Sequence, residues 1–218
     1  MKRITSFLLA IVLFAGLVLT AAPTAYAASE MVTSDDLVTI LKNEEGFSAK
    51  PYWDYGQYTV GYGTRCPDDK LAQYRKDGIP VEDAEALLRE FLTNFEDELN
   101  SRLIEKHGLK LTQNQFDAIL SFSYNCGTAW IYDKSGTMYK AITTGATGTE
   151  LVRSFALWCS AGGEVLPSLM KRRLAEANMY LNGEYNRVPP ANYCYVLYNA
   201  NGGTTSPRTQ GYDINYTV

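Results

Sequence analysis

The chain has 218 residues, 46% of them hydrophobic and 20% charged, with a formal net charge of −4. That composition supports one domain with a real core and excludes a disordered chain. The acidic balance excludes nucleic-acid binding as a main task, because neutralising phosphates needs surplus Lys and Arg.

The N-terminus reads as a secretory signal. Lys2 and Arg3 give it a positive start, residues 7–20 are an uncharged apolar run, and Ala25-Tyr26-Ala27 is a small-x-small cleavage site that would leave Ala28 first. Loss of Lys2 and Arg3 takes the net charge to about −6. A retained membrane anchor is the competing reading, but the run falls short of the ~20 residues that a spanning helix needs. No other segment is apolar enough to span.

Thr33, with Asp36 three residues on, predicts a capped helix start, and Leu37, Val38, Ile40 and Leu41 follow at helical spacing. Gly46 supplies the stop, so Glu45 falls at the last helical turn or just past it. Residues 52–54 and 58–62 are aromatic and β-branched around Gly56, which predicts a hairpin. Residues 64–78 read as a polar loop. After Pro80, the residues Ala84, Leu87, Leu88, Phe91, Leu92, Phe95, Leu99 and Leu103 form one stripe of a long helix reaching about Glu105, and the whole stripe is expected in the core.

Thr112 and Gln115 form a capping box for a helix through Tyr124, stopped at Gly127. Ser135 is the expected cap of a short helix to Thr144. A helix is expected over 148–160, ended by Gly162-Gly163, and another from Pro167 to Leu181, ended by Gly183. Pro189-Pro190 breaks the pattern. Beyond it the chain is rich in Tyr, Asn, Thr and Gly, with strands expected near 195–198 and 212–218.

The four cysteines, Cys66, Cys126, Cys159 and Cys194, allow three two-bridge pairings, and free buried thiols remain an equal reading. A bridge from Cys194 into the preceding domain would anchor the tail. Their spacing fits no zinc motif. With His107 as the single histidine, no metal and no cofactor are expected.

Glu45, Asp54 and Thr59 together offer an acid, a second carboxylate and a hydroxyl, the set that glycoside hydrolysis uses. Taken alone, Glu45 reads more readily as a solvated helix end, and Asp54 and Thr59 as ordinary hairpin residues. The motifs around them go further. Glu45-Gly46-Phe47 through Gly63, then Leu111-Thr112 with Gln115-Phe116-Asp117-Ala118 and Tyr124-Asn125-Cys126-Gly127, then Phe155, Trp158 and Ala161-Gly162-Gly163, then Leu169, Arg172-Arg173, Glu176, Tyr180 and Gly183 occur in one order. Over about residues 34–184 the chain resembles the phage-type lysozymes, glycoside hydrolase family 24, also called endolysins or muramidases.

The resemblance implies an α+β, lysozyme-like fold: a small β-hairpin lobe and a mostly helical lobe, joined by a long helix, with the cleft between them. It implies hydrolysis of the β-1,4 bond between N-acetylmuramic acid and N-acetylglucosamine in peptidoglycan, with inversion. Glu45 would be the acid, Asp54 the base and Thr59 the water holder. Tyr124 and Asn125 would contact sugar, although core and helix-end roles for them stand beside that. Arg172 or Arg173 would reach back to Glu45. Trp158 is expected as a core anchor. Thr64 stands where the family usually has His, and Ser168 where many members have Gly.

The expected organisation is a signal peptide over 1–27, a catalytic domain over 28–188 and a β-rich tail over 189–218. The tail resembles the opening half of a Listeria–Bacteroides surface β-repeat. The expected partner is peptidoglycan, acted on by a secreted monomer free of membrane after signal cleavage. The alternative is a catalytically weak or inactive wall-binding protein on the same fold.

Overall fold

A computed structural model describes residues 30–191, 193–197 and 209–213. Residues 1–29, which include the expected signal segment, residue 192, residues 198–208 and residues 214–218 lie outside the described residues, and so do the side chains of 194–197 and 209–213.

The first helix, α1 (Asp35–Glu45), buries Leu37, Val38, Ile40 and Leu41. Its cap is Ser34, not Thr33. The Ser34 hydroxyl accepts from the Leu37 N–H and donates to Asp117 Oδ2 at 2.6 Å. Thr33 is taken up elsewhere, since its N–H and hydroxyl both donate to Glu96 Oε1. A half-buried carboxylate thus claims the residue that the sequence pattern assigns as cap.

Strands β1 (Ser48–Asp54), β2 (Gln57–Gly61) and β3 (Thr64–Arg65) form an antiparallel sheet in that order. The β1–β2 turn has positive φ at both Tyr55 (41°) and Gly56 (95°), the geometry that suits a two-residue hairpin. The expected loop over 64–78 instead contains β3 and a helix, α2 (Leu71–Asp77), with Tyr74 buried. That helix is one face of Tyr74 on an otherwise polar stretch, too short to show a period.

Helix α3 (Val81–Leu99) continues as a widened π-type turn, Asn100–Glu105, in which Asn100 pairs with both the N–H and the carbonyl of Met31. Ala84, Leu88, Leu92 and Leu99 are buried, but Phe91 remains 43% exposed. The stripe is therefore core along one edge only. Its Leu87–Phe91 edge lines the groove between the lobes.

The helical lobe contains α4 (Gln113–Cys126), a single turn at Ala129–Ile131, α5 (Thr137–Thr144), α6 (Gly148–Ala156) and α7 (Pro167–Asn182). The capping box at Thr112 and Gln115 and the Pro167 start both form. Ser135 does not cap α5. It bonds to Asp133, and Gly136 takes the cap position. Helix α6 ends before Ser160 because Gly162-Gly163 makes a small hairpin of β4 (Ser160–Ala161) and β5 (Glu164–Val165). The core centres on fully buried Phe122, with Trp130, Phe155 and Trp158 edge-on around it. Each such large apolar side chain contributes about 1.5–3 kcal/mol when buried. Trp158 keeps 37% of its surface exposed, so it anchors the core and reaches the surface.

The chain after α7 folds back on this lobe. Tyr185 donates to Asp117 Oδ2 at 2.6 Å and Asn178 donates to the Val188 carbonyl at 3.0 Å. Strands β6 (Tyr193–Leu197) and β7 (Thr209–Asp213) pair antiparallel, and β7 lies against α6. Cys66 and Cys126 carry free thiols, so no two-bridge pairing forms. The expected Cys194 bridge involves a side chain that lies outside the described residues.

Gly61 joins the two lobes. A Cβ there would lie 2.8 Å from Ala84 Cβ, and its φ is +64°. Gly61→Ala should cost about 2–4 kcal/mol from backbone strain plus overpacking, read as a lower midpoint in urea unfolding.

Candidate active site

The β1–β2 register pairs Tyr52 with Thr59, Trp53 with Tyr58 and Asp54 with Gln57. Directly opposed residues share a face and successive residues alternate. Tyr52, Asp54 and Thr59 therefore share one face, while Trp53 and Tyr58 share the other with Arg75 stacked over the Tyr58 ring. Thr59 is 2% exposed, and its hydroxyl has no hydrogen-bond partner among the described residues. A buried hydroxyl left alone costs about 1–3 kcal/mol, so this is a group that a solvent or ligand oxygen would satisfy.

Glu45 closes α1, with 29% of its side chain exposed. The hairpin comes close to it: a Cβ on Gly63 would lie 3.7 Å from Glu45 Oε2. Across the groove, Tyr124 on α4 packs against Phe91 and Phe95 of α3. Burial pushes the Tyr124 hydroxyl far above its ordinary pKa. The Glu45 charge and the nearby Tyr52 add to that rise, against Arg172.

Behind Glu45 lies an ion cluster. Arg172 Nη2 is 3.0 Å from Glu44 Oε2, its Nη1 is 3.7 Å from Glu45 Oε1, and its Nε is 3.3 Å from Glu176 Oε1. Arg187 adds a contact to Glu44 at 3.2 Å. Arg172 is thus the arginine that reaches the helix-end acid. Arg173 takes a different place: fully buried, it donates to Asn125 Oδ1, Cys126 Sγ and Glu176, and stacks over Phe122. Asn125 is exposed, with its oxygen held by that guanidinium.

Burial raises the Glu45 pKa above its ordinary value. The Arg172 charge opposes this and the Glu44 charge reinforces it. Burial outweighs the arginine, so the net shift is upward. Burial likewise pushes Glu176 up, against Arg173 and Arg172. Among the described residues no group of His, Cys, Asp and Glu is arranged to hold a metal ion.

These positions match a known family. The family model described as "Phage lysozyme" matches residues 42–176. The chain belongs to the phage lysozyme family. It is 33% identical over 154 residues to the endolysin of Bacillus phage B103, covering 69% of this chain and 54% of that one. The chain thus spans about half the length of the curated relatives it matches first. Among solved structures it is similar to the endolysin of Escherichia coli O157:H7 phage FAHEc1, with a TM-score of 0.58, 28% identity and coverage of 71% and 96% of the two chains. It is also similar to the muramidase domain of SpmX from Asticaccaulis excentricus, with a TM-score of 0.56, 28% identity and coverage of 68% and 97%. The fold is lysozyme-like α+β, as these neighbours have it.

Sequence reasoning missed Tyr52, Glu44 and Arg187. Tyr52 was findable, because two residues before Asp54 in a strand means the same face. Glu44 and Arg187 carry no pattern that separates them from solvated charges.

Two predictions follow from the cluster. Arg172→Met removes the charge that pulls Glu45 down, so its titration should move further up, read by carbon NMR of the carboxyl. Arg173→Met should leave that titration nearly in place and cost about 3–5 kcal/mol of stability, read by urea unfolding. Glu45 itself gives a pH effect. Its folded pKa is raised, so its contribution to stability is complete below about pH 4.5 and is lost as pH rises through the folded value. Glu45→Gln cannot ionise. It should melt higher than the wild type at pH 7 and lose that advantage below pH 4.5, read by calorimetry at both pH values.

Proposed function

We propose that this chain is a secreted muramidase that hydrolyses the β-1,4 bond between N-acetylmuramic acid and N-acetylglucosamine in bacterial peptidoglycan, with inversion. The observation that carries this is the half-buried Glu45, its pKa raised by burial, set against a hairpin that carries a second carboxylate and a buried hydroxyl with no partner among the described residues. An inverting glycosidase needs a protonated carboxyl at the leaving oxygen and a base that steers water to the opposite face of the ring. The names of the similar endolysins and of the SpmX muramidase domain support the same chemistry.

Glu45 gives its proton to the leaving glycosidic oxygen as the bond to the anomeric carbon breaks. A water held by the Thr59 hydroxyl attacks that carbon from the other face. Asp54 takes the proton the water sheds, and exchange with solvent restores both carboxyl groups. Arg172 orients Glu45. Tyr124 and Asn125 contact the sugar, and Tyr52 joins them on the hairpin side. Export by the segment over 1–27, action as a monomer and a separate tail beyond residue 188 belong to the same reading. The apolar run at the N-terminus supports export, and the Pro189-Pro190 break supports a separate tail.

Wild type and Glu45→Gln on purified peptidoglycan test this, with turbidity loss as the rate and analysis of the new reducing ends. The wild type should release muramic acid ends, and the folded amide variant should be slower by about 10²–10⁴-fold. Glucosamine ends, 1,6-anhydro ends or undiminished lysis by the variant would overturn the proposal.

A further inference from the structure

A short strap, residues 183–188, follows the last helix and is pinned to the helical lobe at three points. At its start, the Asn114 amide on α4 donates to the Met179 and Tyr180 carbonyls at 2.9 and 3.0 Å, closing the end of α7 just before Gly183. In its middle, the Tyr185 hydroxyl donates to the buried Asp117 carboxylate at 2.6 Å. At its end, Asn178 on α7 holds the Val188 carbonyl at 3.0 Å. The match to the family model ends at residue 176, so the strap lies beyond it.

Arg187 stands between the last two pins, at a φ of 60°. A residue with a side chain keeps such a backbone only where its surroundings over-determine it. The pins do so here, and they turn the side chain onto α1: Arg187 Nε lies 3.2 Å from Glu44 Oε1. Glu44 has 7% of its side chain exposed, and its other oxygen lies 3.0 Å from Arg172 Nη2. Arg172 in turn reaches Glu45 at 3.7 Å and Glu176 at 3.3 Å. Arg187, Glu44, Arg172 and Glu176 line one small void, so these contacts form a single cluster.

Arg187 therefore acts on Glu45 at one remove. With Arg187 in place, Glu44 has two cations and needs less of Arg172. Without it, Glu44 draws Arg172 away from Glu45 and sets a less neutralised charge beside it. Both changes favour the protonated form of Glu45. The other charged or titratable groups on that side are Tyr124 on α4, Arg173 on α7, and Tyr52 and Asp54 on the hairpin. None of them pairs with Arg187 among the described residues, and Lys42 on α1 is taken by Glu85.

We propose that the strap makes Arg187 a positioning residue for the acid: by sharing Glu44 with Arg172, it sets the pH above which Glu45 no longer supplies a proton. The inference rests on the muramidase reading for the role of Glu45, but its first measurement needs no hydrolysis.

The Glu45 carboxyl is titrated by carbon NMR in the wild type, Arg187→Gln, Arg187→Lys and Tyr185→Phe, and lysis of purified peptidoglycan is followed across pH. Arg187→Gln should move the Glu45 titration up. The alkaline limb of the pH–rate profile should follow, because an acid works only while protonated. The rate on that limb, relative to the rate at the optimum, should rise about two- to fivefold, the size that a part-exposed charge pair gives. Arg187→Lys, which keeps the charge, should stay near the wild type. Tyr185→Phe, which cuts the middle pin, should move the titration the same way as Arg187→Gln. In a Glu44→Gln background, Arg187→Gln should shift nothing, since the residue that links it to the acid has lost its charge. The Arg187 side chain is half exposed, so its variants should fold, which circular dichroism checks. An unmoved or lowered titration in Arg187→Gln, or the same shift with and without the Glu44 charge, would overturn the proposal. Failure of the muramidase reading would show separately, in the reducing ends released by the wild type.

Discussion

The site depends on how one guanidinium is shared. Arg172 faces three carboxylates and lies nearer to Glu44 and Glu176 than to Glu45. A lone pair of charges at about 4 Å is worth about 4 kcal/mol at the effective dielectric of a protein surface, enough to strip the proton from a half-buried acid. Here Glu44 and Glu176 lie closer to that guanidinium than Glu45 does and share it. Glu44 also sits beside Glu45 with a like charge. Arg172 can therefore fix the position of the acid while burial still sets the direction of its pKa shift. Orientation and proton retention usually conflict when an arginine holds an acid, and the two extra carboxylates relieve the conflict.

The scaffold follows from the same need. The acid comes from the end of α1, its apparent partners from a hairpin and its support from α7, so three segments distant in sequence must keep a fixed relation. Asp117 helps by receiving Ser34, Gln113 and Tyr185 at one buried carboxylate. Glu96 and Asn100 fasten residues 31–33 to the long helix. The Gly61 contact with Ala84 sets the hairpin on α3 with no room for a methyl group. Rigidity is concentrated where the lobes meet α1 and α3, which is where a groove needs its walls fixed.

Much of this was legible in the sequence, for reasons that can be named. Long amphipathic helices, the capping box at Thr112, Pro167 and the hairpin around Gly56 all express local rules, and the structure follows them. The failures come where distant residues decide. Ser34 rather than Thr33 caps α1 because Glu96 competes for Thr33. Helix α2 hides in a polar stretch. Phe91 matches the periodicity of a core residue, yet its neighbourhood is a groove. Arg172 and Arg173 are adjacent, and a helix turns them about 100° apart, so one faces Glu45 and the other enters the core. The same turn separates Glu44 from Glu45. Sequence proximity gives no way to assign such faces until the partner helices are known.

Arg187 has a positive φ of 60° and reaches Glu44 from the stretch that follows the last helix. That stretch, over 184–188, is thus part of the back wall of the acid rather than a spacer before the strands. A shortened protein cut at Gly183 would lose a counter-ion from Glu44 and free Arg172 to lean more heavily on Glu44, resetting the charge balance at the C-terminal end of α1. Any trimming for crystals or fusion partners should keep residues 184–188 in place.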